Sequence, residues 1–163
     1  MQNRMLQQAW GEWVRDRPWS HVVTLTTARR FSKERLRKVF HDEWIRYATK
    51  AAQRSVPYVF TIEGGALGDQ AHVHALVAGT ARLECPQLVK AWRHGRAQVD
   101  VYDPTRAAAY YLAKEIGNGA LDYDVSTRLP DLRKPDPQDS AETPIKCGVS
   151  QRITINLGSE DVS

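Results

Sequence analysis

The sequence predicts an α+β domain: a central antiparallel β-sheet of about five strands, with a ferredoxin-like or RNA-recognition-like core, flanked by helices. Three observations lead there. Segments rich in β-branched residues, "HVVTLTT" and "YVFTIE", are interspersed with segments whose apolar residues recur at helical spacing. The elements run helix, strand, helix, strand, strand, helix, strand, helix, which departs from the strict alternation of a parallel α/β sheet. The two consecutive strands are joined by a glycine-rich turn, "GGALGDQ", the pattern of an antiparallel hairpin with a long loop.

From Gln2 to Arg15, Leu6, Ala9, Trp10, Trp13 and Val14 fall on one helical stripe, which ends before Pro18. "WSHVVTLTT" is the first strand. Ser32 is placed to cap a long helix, with Glu34 in its first turn and Leu36, Val39, Phe40 and Trp44 along its apolar stripe. Pro57 opens the strand "YVFTIE", and "HVHALV" returns after the turn. Pro86 starts a short helix through Trp92, with Gly95 as its stop, and "RAQVDVY" alternates as a strand does. Asp103-Pro104 reads as an N-cap followed by proline at the first helical position, for a helix running to Gly117. This divides the chain into a domain over 1–117, helix plus core, and an acidic, proline-containing arm over 118–163. A last strand is expected near 151–157.

Composition narrows the class. The 163 residues are 42% hydrophobic and 26% charged, enough apolar material for one core. No run is long and apolar enough for a membrane span, and the N-terminus has no signal-peptide apolar stretch, so no membrane partner and a cytoplasmic location are expected. Two cysteines, Cys85 and Cys147, make neither a disulfide framework nor a thiolate zinc site by themselves. Residues 1–117 hold 18 Lys and Arg against 11 Asp and Glu, whereas 118–163 hold 5 against 8. A basic body is suited to a polyanion, although a merely soluble basic surface explains the charge equally well.

The hairpin marks where chemistry gathers. His72 and His74 are two apart in a strand and project from one face, where paired imidazoles are poor core material and good ligands. Glu63 ends the preceding strand, so it converges with them at the hairpin mouth. Two imidazoles and a carboxylate with open positions suit a divalent metal, and Gln70 shares their parity as an optional fourth ligand. On the last helix, Tyr111 and Lys114 are surface neighbours three residues apart. A tyrosine nucleophile, with its ordinary pKa near 10, needs a cation or a polarised phosphate beside it. Tyr110 is read as a packing residue; because Lys114 is four residues from it, helical geometry leans towards Tyr111 without deciding. In "RRFSKERLRK", Arg29, Arg30, Lys33, Arg35, Arg37 and Lys38 either contact phosphates or form a solvated face. No GxxxxGK[ST] loop is present, and His21, His41, His94 and the cysteines have no evident partners.

Over residues 19–117 these features resemble the HUH endonucleases, most closely rolling-circle replication initiators with a single catalytic tyrosine. "VTLTT" resembles their first motif, "HVHALV" the second and "YLAKE" the third, in the family's order. The resemblance implies a five-stranded antiparallel sheet and site-specific nicking and joining of single-stranded DNA at an origin, which a hairpin could present. It also implies a 5′-phosphotyrosine intermediate on Tyr111 with Lys114 beside it, and Mn²⁺ or Mg²⁺ on Glu63, His72 and His74. Unwinding would then fall to a separate helicase. Tyr110 and Tyr111 are adjacent, which departs from the spaced pair of two-tyrosine members. The rival readings are a single-tyrosine HUH transposase of an insertion sequence and a non-catalytic, RNA-recognition-like binding module.

Overall fold

A computed structural model describes residues 2–64, 70–117, 122–127 and 129; within them the side chains of Gln2, Asn3, Leu6, Lys114, Glu115, Ile116 and Asp122 are outside the description. The elements are α1 (Gln2–Arg15), β1 (His21–Thr27), α2 (Lys33–Val39), a π-helical turn (Phe40–Ile45), α3 (Arg46–Ala52), β2 (Tyr58–Glu63), β3 (His72–Val77), α4 (Cys85–Lys90), β4 (Gly95–Val101), α5 (Ala108–Gly117) and β5 (Asp122–Val125). The strands form one sheet in the order β4-β1-β3-β2-β5, with every neighbouring pair antiparallel. From β1 to β4 the chain is a βαββαβ unit, the ferredoxin-like core the element order predicts.

Strand alternation gives the sheet two different faces. On one, Val23, Leu25, Phe60, Ile62, Val73 and Ala75 form the main core with residues from the 33–52 helix, α4 and its flank. On the other, Val59 and Leu76 pack with Val14 of α1 and with Ala109 and Leu112 of α5. Each of the valine, leucine, isoleucine and phenylalanine side chains, fully buried, stabilises the fold by about 1.5–3 kcal/mol. The first face is buried along its centre, with Val101 exposed and Asp124 part-exposed at its two edges, while α1 and α5 cover only part of the second.

Ser32 caps α2 as expected, its hydroxyl accepting from the Arg35 amide at 3.2 Å. Leu36, Phe40, Trp44 and Ala48 are all fully buried. Four-residue spacing advances about 40° per step on an ordinary α-helix, so these four would drift off the core. The π-helical turn between Phe40 and Ile45 takes more residues per turn and offsets that drift. The Trp44 indole then donates to the Leu88 carbonyl at 3.1 Å, joining the long helix to α4.

Three boundaries differ from the sequence reading. The helix expected from Asp103 starts at Ala108, because the Asp103 carboxylate accepts from the amide and hydroxyl of Thr105 (2.9 and 2.6 Å) and closes a turn first. Gly95 begins β4 rather than stopping a helix. Its φ is +151°, and a Cβ there would lie 2.3 Å from the Thr26 carbonyl, so strand contact demands glycine. The fifth strand is Asp122–Val125, beyond the expected boundary at 117, paired with β2 at the sheet edge. The strand expected near 151–157 lies outside the described residues.

The three histidines without evident partners each have one. His21 Nδ1 lies 2.8 Å from the Thr80 hydroxyl, and His94 Nε2 lies 2.8 Å from Glu43. His41 Nε2 is 3.4 Å from Asp124 of β5. Cys85 is buried in the main core and is not a free thiol.

Candidate active site

β-sheet register assembles the site. Glu63 is directly opposite His72, and Thr61 opposite His74, while on the other side of β3 Thr26 and Thr24 face the same two histidines. Residues directly opposite share a face, so Glu63, His72 and His74 all project towards α5. Ala109 and Leu112 fix α5 to that face, and Tyr111 comes down beside the histidines with its ring 5.2 Å from that of His74.

Each imidazole is held by Nδ1. That of His72 lies 3.1 Å from the Gln70 carbonyl, and that of His74 lies 3.2 Å from the Thr24 hydroxyl. The Gln70 carbonyl only accepts, so a neutral His72 that donates from Nδ1 presents the lone pair of Nε2 to the site. Both Nε2 atoms face Glu63: His72 Nε2 is 3.0 Å and His74 Nε2 3.3 Å from Oε2. The His74 atom is buried, and its contact with Glu63 is not a hydrogen bond. Burial lowers the pKa of His74, with the Glu63 carboxylate working in the opposite direction, and this favours the neutral, ligating imidazole.

Two imidazole nitrogens and a carboxylate facing one another at these distances form a set able to hold a cation. One ligand atom from each of Glu63, His72 and His74 lies within 4.8 Å of the others, so the donor set fits one ion. The side chains are partly exposed, which leaves positions open to substrate. Gln70 joins through its backbone carbonyl behind His72 and is itself exposed.

The Tyr111 hydroxyl donates to the same carboxylate, 2.9 Å from Oε1 and 3.0 Å from Oε2. Tyr110 points elsewhere: its hydroxyl accepts from Arg15 Nη1 at 3.0 Å, and its ring lies where a side chain at Gly11 would begin. Lys114 is in α5 one turn after Tyr111.

The basic residues divide. Arg29 and Arg30 are exposed after β1, at the sheet end that carries Glu63 and His72, and Lys33, Arg35 and Lys38 are on α2. The Arg35 guanidinium stacks 4.1 Å over the Phe31 ring. Arg37 is turned to the sheet edge, 3.5 Å from Asp124 and over the Phe60 ring.

Two functional contacts escaped the sequence reading. Thr24, which supports His74, is in "VTLTT", but nothing in the chain tells which strand lies beside β3. Gly11, against Tyr110, is a lone glycine inside a helix, and such a residue costs helix stability unless something packs there.

An antiparallel ferredoxin-like sheet that gathers two histidines, a glutamate and a helix-borne tyrosine on one face is consistent with a rolling-circle replication initiator of the HUH type. The chain belongs to the replication-associated protein ORF2 family, whose family model matches residues 20–119. That membership supports an initiator role with single-stranded DNA as the partner. Comparisons with curated proteins and with solved structures returned no match. Among the described residues no helix is long and apolar enough to cross a membrane.

Proposed function

We propose that the protein nicks and rejoins single-stranded DNA at a replication origin, with Tyr111 as the nucleophile. The observation that carries this is the Tyr111 hydroxyl 2.9 Å from Glu63, itself within a set able to hold a metal ion. Glu63, His72 and His74 are the ligands, and a divalent ion bound there, Mn²⁺ or Mg²⁺, supplies Lewis-acid polarisation of the scissile phosphate. Glu63 holds the tyrosine hydroxyl, so the attacking oxygen is positioned before DNA arrives. The tyrosine oxygen forms the new bond to phosphorus as the bond to the 3′-oxygen breaks. The phenolic proton leaves along the hydrogen bond to Glu63, and the departing oxygen takes up a proton from water to become a 3′-hydroxyl. The 5′-phosphotyrosine preserves the bond energy, and attack by a 3′-hydroxyl reverses the reaction. Lys114, one turn along α5 from Tyr111, assists, and Arg29, Arg30, Lys33, Arg35 and Lys38 contact the DNA backbone. Unwinding is assigned to a separate helicase.

The test is incubation with a single-stranded oligonucleotide library and Mn²⁺, followed by denaturing electrophoresis. A covalent protein–DNA band that vanishes in excess chelator is expected. Absence of any band with Mn²⁺ or Mg²⁺ would leave a non-catalytic binding module as the better reading.

A further inference from the structure

At the sheet end beside the metal-ligand set, a cavity of about 270 Å³ is lined by Ala28, Arg29, Phe31, Arg35, Arg93 and His94. Its two walls, the segment after β1 and the segment before β4, are tied together by the Ala28 amide donating to the His94 carbonyl at 2.7 Å. They are also tied to the site. Thr26 of β1 is opposite His72 on one side and Arg96 on the other, and the Thr27 amide donates to the Ala71 carbonyl at 3.3 Å. The cavity therefore opens at the end of the strand next to the one that carries both histidines, about 4.8 Å away in the pairing direction.

Its chemistry is specific. The aromatic surfaces are Phe31, with Arg35 stacked on it at 4.1 Å, and His94, whose ring is 5.5 Å from that of Phe31. His94 is oriented by Glu43, 2.8 Å from Nε2, so that carboxylate is occupied and does not line the cavity. Three guanidiniums border the space, and Arg29 and Arg93 make no ion pair with any described residue. The volume falls below the roughly 300 Å³ at which pockets for drug-sized ligands begin, so it admits one planar ring system rather than several. Flat walls, cationic donors and room for one ring describe a base-binding pocket.

We infer that this cavity is a subsite for one unpaired base of the DNA strand, and that it prefers guanine. The inference rests on the reading of the chain as a single-stranded DNA binder. Arginine offers only donors, in a planar fork. Guanine presents two acceptors, N7 and O6, on one edge and meets that fork bidentately, whereas adenine and cytosine put an amino donor there. Arg93 is exposed beside the cavity and supplies the fork; Arg29 holds the adjoining phosphate. The strand thus turns over the end of the sheet, from the scissile phosphate on one face to the base in this pocket.

The experiment is fluorescence anisotropy in excess chelator, so that no cleavage occurs, with oligothymidylate carrying one central guanine, adenine or cytosine or none. The wild-type protein is expected to bind the guanine strand about tenfold more tightly than the others, the low end for a bidentate pair. Arg93→Lys, which keeps the charge and loses the fork, should bring that ratio to one while leaving affinity for pure oligothymidylate in place. Equal wild-type affinity for all four strands, or a guanine preference that survives in Arg93→Lys and Arg93→Ala, overturns the inference. A guanine preference without any covalent adduct in the preceding test refutes the nicking reading and leaves the base pocket standing.

Discussion

Tyr111 and Glu63 are joined by a hydroxyl–carboxylate hydrogen bond of 2.9 Å that spans 48 residues of sequence. It ties the last helix to the end of β2 and separates two adjacent tyrosines, because Tyr110 is engaged by Arg15 of α1 instead. Tyr111→Phe is expected to abolish the covalent adduct while single-stranded DNA binding persists, since only the attacking oxygen is removed. Tyr110→Phe should keep the adduct and cost little stability, because its bond to Arg15 is exposed and water replaces it. Mass spectrometry of the adducted peptide checks the assignment; a nucleotide on Tyr110 would reverse it.

Removing either histidine deprives the candidate ion of a ligand whose side chain is not part of the main core. His72→Ala and His74→Ala should each weaken Mn²⁺ binding, measured by calorimetry, by more than the roughly 10–100-fold that follows removal of a merely supporting residue. Thr24→Val should fall within that range, because the threonine only orients His74. Unchanged Mn²⁺ affinity in both histidine variants would show that the ion does not bind there.

Gly11 offers a test whose sign inverts. A Cβ at Gly11 would lie 2.4 Å from Tyr110 Cδ1, so Gly11→Ala should destabilise the wild-type protein by about 1–3 kcal/mol through overpacking. In a Tyr110→Ala background the obstruction is gone, and the same change should stabilise α1 by about 0.8–1 kcal/mol. Denaturant unfolding of the four proteins forms the double-mutant cycle. Additive effects would mean that α1 is not locked to α5 at this point.

His21 predicts a pH dependence. It is 2% exposed, and burial pushes its pKa down to about 4 from an ordinary 6.5. The unfolded chain takes up a proton that the folded chain refuses, so stability is complete above about pH 6.5 and declines as pH falls towards 4. The loss approaches about 3 kcal/mol. His21→Gln should flatten that part of the profile, and an imidazole NMR signal from His21 titrating near 6.5 in the folded protein would contradict the prediction.

Neutralising Arg29, Arg30 and Lys33 should reduce the slope of log affinity against log salt by about 0.7 for each phosphate of a single strand that is no longer neutralised. Arg37→Ala should leave that slope unchanged and loosen the β5 edge instead, since Arg37 is engaged with Asp124. Salt titrations of single-stranded DNA binding distinguish the two sets.

Local and periodic features are legible in the chain alone. Alternation in "HVHALV" places both histidines on one face, Ser32 marks the start of α2, and the order of elements specifies a ferredoxin-like core, because each depends on dihedral preferences and side-chain period within one segment. Whatever depends on which segments lie side by side is settled by packing instead. Thr24 reaches His74 only because β1 pairs with β3, and Asp122–Val125 becomes a strand because β2 has an open edge to receive it. The two tyrosines show the same division most sharply. Helical spacing sets them about 100° apart, but which one meets Glu63 follows from how α5 is rotated when Leu112 is buried and the Tyr110 ring fills the space left by Gly11. That rotation is set by close packing between elements distant in sequence, and no local preference encodes it.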